Sequence, residues 1–426
     1  MTRPSVKLAA GTNGSVIVEA CQVCGSAALR SLLFVGYLPP VNGMPAIGAR
    51  PVEQPAYPAE VLRCDRCSLV QLGLVVDPAI LFPPTYPYTS GTTRILRENF
   101  AQLAGEVADL ALLGPRGLVV DIGSNDGTLL SNFQARGHRV RGIEPTNAGN
   151  LANGRGIPTD ISFFDRGAVA KVLRDEGPAQ VVTAANVFAH IEDVHSVVDN
   201  IVSLLAPDGV FISESHYWLS LVETVQYDTI YHEHLRYYTL GSLEALLGEH
   251  GLQVFHARRI PTHGGSIRVY ATRTGLRPPT AALAPLRAAE EAALDPQGLA
   301  RFRERVIRSK LDLLALLRDV KRPGARVYGV GAPSRASTLI NYVGLDDGIL
   351  DCVVEIGGSY KIGHYIPGTV IPVRDESCLF TEQPEYALLL SWHIADELMP
   401  KLRQNGFKGD FIIPLPEPRV VKGSAA

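Results

Sequence analysis

Asp121-Ile122-Gly123-Ser124-Asn125-Asp126-Gly127 follows the apolar run Leu118-Val119-Val120 and leads into Thr128-Leu129-Leu130. That order predicts a buried strand, a glycine-rich turn and the start of a helix. Gly123 and Gly127 lack a Cβ, so a ligand can approach the backbone of the turn closely. The next apolar segment, Val140-Arg141-Gly142-Ile143, ends in the acidic Glu144. Glycines beside a ligand's polar tail and a carboxylate on its ribose hydroxyls suit a nucleoside. The turn is not the G-x-G-x-x-G of dinucleotide binding. Asp121, Gly123, Asn125, Asp126, Gly127 and Glu144 are therefore candidate cofactor-binding residues, joined by Asn186 at the end of a later strand. The bland alternative is a plain strand-turn-helix of an α/β core.

The turn also resembles motif I of class I S-adenosylmethionine (SAM) methyltransferases, in which a glycine often stands where Asn125 does here. That resemblance implies SAM as cofactor and leaves the acceptor open. The 426 residues suffice for two to four domains at roughly 100–200 residues each. A net charge of -3 provides no basic field for nucleic acid or an anionic membrane. No apolar run approaches the ~18–20 residues of a membrane span. The first residues carry no continuous apolar signal segment, so a cytoplasmic protein is expected.

Four of the six cysteines form two pairs, Cys21-Gln22-Val23-Cys24 and Cys64-Asp65-Arg66-Cys67. Two such knuckles match a tetrahedral four-thiolate structural zinc site, and a reducing compartment disfavours disulfides instead. The separation of about 40 residues is too long for a compact ribbon. The insert is therefore expected to loop out, in keeping with Pro39, Pro40, Pro51, Pro55 and Pro58. Cys352 and Cys378 read as apolar residues rather than nucleophiles.

Strand–helix alternation runs from residue 117 to about 274, with strands at 118–122, 139–144, 181–186 and 209–214. This predicts a doubly wound parallel sheet. Segments 253–260 and 267–272 flank Pro261-Thr262-His263-Gly264-Gly265 and resemble the antiparallel hairpin that closes a class I methyltransferase sheet. Pro278, Pro279 and Pro285 mark a boundary, and residues from about 286 to 320 show helical spacing interrupted near Pro296. A second α/β unit opens at Arg326-Val327-Tyr328-Gly329-Val330-Gly331-Ala332-Pro333-Ser334-Arg335, with further strands at 349–354, 386–391 and 410–413. The expected organisation is α/β. It comprises a zinc-binding domain (1–80), a SAM-binding Rossmann-like domain with its N-terminal linker (81–275), a helical connector (276–323) and a second Rossmann-like domain (324–426).

Chemistry concentrates where parallel strands end. The strand 181–186 is followed by His190, which is placed to face a substrate. Further on, Tyr227-Asp228-Thr229-Ile230-Tyr231-His232-Glu233-His234-Leu235-Arg236-Tyr237-Tyr238 is dense in polar aromatics. It is not the H-E-x-x-H zinc motif. On a helix His232 and His234 diverge, whereas Tyr231 and His234 share a side. Glu233 offers a carboxylate to orient an imidazole. In the second unit, residues 329–332 form a candidate phosphate cradle, with Ser334 and Arg335 at the following helix start and Lys361 and His364 nearby.

Taken together, the chain resembles the C-methyltransferases that act on nucleotide-linked keto-deoxysugars in antibiotic biosynthesis. The resemblance spans nearly the whole chain. It rests on the cysteine quartet, the motif I turn, the Tyr-x-Glu-His segment, and the Gly-Ala-Pro-Ser-Arg unit with residues 361–367. It implies a nucleotide-sugar substrate, usually thymidine-linked, lying between the last two domains. It also implies a catalytic cluster of Tyr231, Glu233 and His234, with His190 and a tyrosine of the 86–88 segment, Tyr88 foremost, nearby. His232 is the least secure member, because that position varies in the family. Carbon becomes a nucleophile as an enolate, which needs a base for the α-proton and a donor to the oxyanion. His234 is the expected base, and Tyr231 or His190 the expected donor. The rival readings are an O- or N-methyltransferase on a sugar or other small metabolite, and a zinc-knuckle binding protein with a degenerate SAM fold.

Overall fold

A computed structural model of the chain describes residues 8–9, 14–50, 52–81, 91 and 93–423. The apolar segments around the motif I turn become the middle of a seven-stranded sheet. Its order is Leu252–Ile260, Ser266–Arg273, Leu205–His216, Ala179–Ala185, Leu118–Ile122, Arg139–Ile143, Thr159–Asp160. Leu118–Ile122 pairs in parallel with both its neighbours and is buried at every residue. Ser266–Arg273 alone runs antiparallel, inserted between two strands of the opposite sense. This is the closing hairpin expected from the sequence.

Side-chain caps fix the helix starts on this sheet. Asp165 accepts from the Ala168 N–H before Arg166–Asp175, and Asp193 from the Ser196 N–H before Val194–Leu204. Thr239 and Ser242 form a capping box at Leu240–Glu249. The proline that interrupts the connector pattern begins a helix rather than breaking one. Pro296 occupies the first turn of Pro296–Lys321, capped by Asp295, after a separate helix Leu283–Ala293.

The second α/β unit is a six-stranded sheet ordered Val373–Asp375, Cys352–Glu355, Val327–Val330, Tyr386–Leu389, Asp410–Ile413, Arg419–Val421. All pairings are parallel except the last. The two short outer strands are absent from the sequence-based expectation.

The insert between the cysteine pairs differs most from its expected form. Much of it is an antiparallel pair, Leu29–Leu38 with Tyr57–Cys64, and only its tip loops out. Pro39, Pro40 and Pro55 fall in that tip, Pro58 lies near the start of a strand, and Pro51 lies outside the described residues. The sheet continues through Val70–Leu72 and ends on Arg236–Tyr237, a strand contributed by the central unit.

One buried cluster joins Leu32, Val35 and Val61 of this sheet to Trp218, to Phe302, Val306 and Leu313 of the connector, and to the core of the second α/β sheet. The zinc-binding, connector and C-terminal segments therefore share a core. Among the described residues no helix is long and apolar enough to cross a membrane.

Candidate active site

The cysteine pairs converge as their spacing predicts. The sulfurs of Cys21, Cys24, Cys64 and Cys67 all lie within 4.8 Å of one another and all four residues are buried. Cys21 and Cys67 are 3.4 Å apart, and Cys24 and Cys64 3.5 Å. Tetrahedral Zn–S bonds of about 2.3 Å place sulfurs roughly 3.8 Å apart, so the quartet fits zinc after small shifts that part these two pairs. Each knuckle closes in the same way. The Gly25 and Ser68 N–H groups donate to the carbonyls of Cys21 and Cys64, at φ 65° and 60°. The Cys24 and Arg66 N–H groups donate to the sulfurs of Cys21 and Cys64, each at 3.4 Å. Without a cation the thiols compete. The Cys67 hydrogen bond lowers Cys21 to about 5, and burial raises Cys24 to about 11. A divalent ion permits all four to be thiolates.

The motif I turn leaves its strand at Gly123, φ 65°. A Cβ there would stand 2.7 Å from Val187. Asn125 adopts φ 51°. The left-handed region suits glycine best and Asn next, which explains how Asn occupies this position. The Glu144 carboxylate accepts the N–H groups of Asn125 at 3.0 Å and Thr146 at 2.9 Å. Asp121 accepts the Thr183 hydroxyl at 2.6 Å, and burial raises it to about 7. Asp126 is engaged within the protein. It accepts from the Thr128 hydroxyl at 2.7 Å, from Arg155 at 3.1 Å and from the Gly91 N–H at 3.1 Å, and so shapes the turn. Asn186 stands at φ 59°, and its Oδ1 is buried with no hydrogen-bond partner among the described residues. The glycine cradle and this spare acceptor fit a nucleoside cofactor.

The segment 227–237 sits beside these strand ends and is held from two sides. From the C-terminal unit, Arg335 makes two 2.8 Å bonds to Asp228, and Thr338 donates to the Ile230 carbonyl at 2.9 Å. From the zinc-binding unit, Asn42 donates to Glu233 at 2.6 Å, and Arg236 and Tyr237 pair with Gln71 and Val70. Tyr231 and His234 do come together, through a tight turn closed by the His234 N–H and the Tyr231 carbonyl rather than a helix. Their rings are 4.2 Å apart.

The His234 Nδ1–H donates to the Thr229 carbonyl at 3.0 Å, which leaves Nε2 as acceptor for the Tyr231 hydroxyl at 3.1 Å. The Thr229 carbonyl, not the Glu233 carboxylate, therefore orients this imidazole. Burial holds His234 well below the ordinary histidine value, reinforced by the nearby His190. His190 lies 4.9 Å away and is lowered by burial to about 4. His232 is buried against the zinc-binding unit, where it donates to the Pro58 carbonyl at 3.2 Å and packs on Tyr57. Glu233 is raised by burial to about 7, with the Lys361 charge opposing. Tyr86 and Tyr88 lie outside the described residues.

The C-terminal turn repeats the first one's device. Gly331 has φ 81°, and the Ala332 N–H donates to Glu355 at 2.7 Å, as Asn125 does to Glu144. Ser334 begins the helix Ser334–Val343. Arg335 is not an open cation. Besides Asp228 it contacts Gln226 at 3.0 Å and lies 4.9 Å over the Trp392 ring. Lys361 donates to the Ala332 carbonyl, and burial lowers its ammonium while Glu355 and Glu233 oppose that. His364 pairs with Ala46 of the zinc-unit insert, and its Nδ1 is buried without a hydrogen-bond partner among the described residues.

Two further histidines were missed by sequence reasoning. His216 is 4.8 Å from His234, and His263 is 5.3 Å from His216. His216 ends a parallel strand, the same signal that pointed to His190. His263 sits at φ 55° in the closing hairpin. Asn42 carried no signal, because its partner is far away in sequence.

Comparisons with known proteins agree across the chain. A zinc-binding domain profile matches residues 21–82, a methyltransferase domain profile residues 95–257, and a C-methyltransferase C-terminal domain profile residues 261–416. C-methyltransferase NovU of Streptomyces niveus is 32% identical over 422 residues, covering 96% of this chain and 98% of that protein. A ubiquinone biosynthesis O-methyltransferase of Cupriavidus pinatubonensis is 32% identical over 99 residues, 22% of this chain and 40% of that protein. Among solved structures, the SAM-bound magnesium protoporphyrin IX methyltransferase of Synechocystis is 18% identical with a TM-score of 0.31, over 42% of this chain and 79% of that one. With all three regions matched in order and a full-length relative above 30% identity, the chain belongs to the zinc-containing, SAM-dependent C-methyltransferase family that includes NovU.

Proposed function

We propose that the protein methylates the carbon next to the ketone of a nucleotide-linked 4-keto-deoxysugar through an enolate, with thymidine as the expected nucleotide. The observation that carries this reading is the neutral His234, whose free-base Nε2 meets the Tyr231 hydroxyl at 3.1 Å beside the cofactor-binding strand ends. Bound SAM supplies an electrophilic methyl group. His234 Nε2 takes the α-proton, and the positive charge that develops is balanced by the enolate beside it. The depressed affinity of His234 for protons keeps it unprotonated at neutral pH, while making it a weak base in isolation. Catalysis therefore depends on stabilising the oxyanion. The Tyr231 hydroxyl turns from Nε2 to the substrate oxygen, which frees the Nε2 lone pair for the α-proton and lets the hydroxyl donate to the oxyanion, as can His190.

Ser334, Lys361 and His364 are proposed to hold the nucleotide end. Arg335 is proposed to serve as an anchor for the catalytic segment. The expected localisation is cytoplasmic. Incubating the enzyme with a thymidine-linked 4-keto-6-deoxyhexose in heavy water tests the reading. Deuterium should appear at the α-carbon, and with SAM a methyl group at that same carbon. Methyl on oxygen without any exchange would overturn it.

A further inference from the structure

We propose that Asn42, carried by the zinc-binding unit, is a positioning residue of the active site that holds the Glu233 carboxylate in one orientation and favours its ionised form against the effect of burial. Its Nδ2 donates to Glu233 Oε1 at 2.6 Å and reaches the Leu81 carbonyl at 3.4 Å. The Tyr360 hydroxyl donates to Asn42 Oδ1 at 3.4 Å, which decides which end of the amide faces the carboxylate. Glu233 is only 4% exposed. A carboxylate so buried stays charged only where donors or cations replace its water. Among the described residues, Asn42 is the one side chain that hydrogen-bonds it.

The charged and titratable groups around Glu233 come from several elements. Lys361 and Tyr360 face it from the C-terminal unit, with Glu355 acting on both. The His190 ring meets its backbone from the central sheet, and His234 follows it in the chain. Lys361 acts through its field, because its ammonium donates to the Ala332 carbonyl.

The insert that brings Asn42 here is itself fixed. The Ile47 N–H donates to the Gly363 carbonyl at 2.9 Å, and the Tyr365 N–H to the Pro45 carbonyl at 2.8 Å. The amide is thus set in place before substrate arrives. The long insert between the cysteine knuckles thereby carries a donor from the zinc-binding unit into the catalytic segment.

The inference rests on the proposed function only in giving Glu233 a place at the substrate, and it can be tested without substrate. The full zinc-loaded chain, labelled with ¹³C at the glutamate carboxyls, is titrated by NMR, with Glu233→Gln identifying the Glu233 signal. Asn42→Ala should raise the Glu233 midpoint by about one pH unit, a tenfold change, with zinc content and SAM affinity unchanged. Asn42→Asp, equal in size, should also raise it, because a second carboxylate replaces the donor; this variant carries the test if Asn42→Ala does not fold. In turnover, the acid limb of kcat should move in the same direction. A Glu233 midpoint that stays put in the folded variants overturns the assignment. If the wild-type enzyme methylates no keto sugar, the substrate reading fails, while the Glu233 midpoint still decides the role of Asn42.

Discussion

At the scale of residues, the histidines around His234 combine two properties that usually conflict. They are packed close, 4.8 to 5.3 Å between ring centres, and they stay uncharged because burial opposes the imidazolium. The proposed base is already free at neutral pH and needs no prior deprotonation, so His234→Ala should lower turnover by about 10²–10⁴-fold. SAM affinity, measured by titration calorimetry, should barely change, because among the described residues this ring makes no hydrogen bond to the glycine cradle. Turnover within a few-fold of wild type would remove His234 from the role of base. The same burial has a consequence for stability. His263 is lowered to about 4 by burial, below its unfolded value of about 6.5. The unfolded chain therefore binds the proton first as pH falls, and stability is lost below about pH 6.5, levelling off near 4. His263→Asn keeps a residue that tolerates φ 55° and removes this titration. Between pH 7 and pH 5 the variant should lose at most about 2 kcal/mol less stability than the wild type. Parallel urea titrations at the two pH values measure the difference; equal losses would show that His263 is not buried neutral.

At the scale of elements, the segment 227–237 has little regular structure of its own and is defined by what grips it. A bidentate Arg335–Asp228 pair, nearly excluded from solvent, ties its start to the helix Ser334–Val343. The next residue's carbonyl, Thr229, then sets the tautomer of His234. Arg335→Ala strands a buried carboxylate and should cost about 3–5 kcal/mol. Asp228→Asn together with Arg335→Ala should recover part of that cost, because no lone charge remains. Denaturant midpoints of the single and double variants test this. Additive losses would mean the two residues act separately, as expected if Arg335 faced a phosphate instead. This element also marks where sequence reading stops. The buried strands of both sheets announced themselves through uninterrupted apolar runs ended by glycine turns. The grouping of Tyr231 with His234 was legible from their spacing of three, although a turn rather than a helix produces it. The partners were not legible. Arg335 is 107 residues from Asp228, and Asn42 is 191 from Glu233. Neither pair leaves a periodic trace, and Arg335 in a glycine-rich context reads as a phosphate ligand until its partner is seen. The outer strands Val373–Asp375 and Arg419–Val421 are three residues each, too short to carry an alternation.

At the scale of the whole molecule, the zinc-binding unit braces the segment 227–237, which carries the proposed catalytic cluster. The cysteine quartet pins one end of the antiparallel pair Leu29–Leu38 and Tyr57–Cys64, where Leu29, just after the first knuckle, lies opposite Cys64 of the second. That sheet extends through Val70–Leu72 to Arg236–Tyr237, immediately after His234. Its insert meanwhile delivers Asn42 to Glu233. Loss of the metal leaves four crowded thiols, some of which must reprotonate, and the knuckles lose the bond that closes them. Because the sheet register reaches the proposed catalytic segment directly, metal removal should abolish turnover in proportion to zinc released by a strong chelator. SAM binding should survive, since Glu144, Asp121 and the turn between them are held by the central sheet and by Thr183. Parallel measurement of released zinc, SAM affinity and turnover separates the possibilities. Apoprotein that retains full turnover would reduce the zinc-binding unit to an appendage. Joint loss of SAM affinity and turnover would mean that the metal supports the central fold itself. Loss of turnover alone is the expected result, because the zinc-binding unit reaches the proposed catalytic segment at residues 232, 233, 235, 236 and 237 and makes no hydrogen bond to the motif I turn among the described residues.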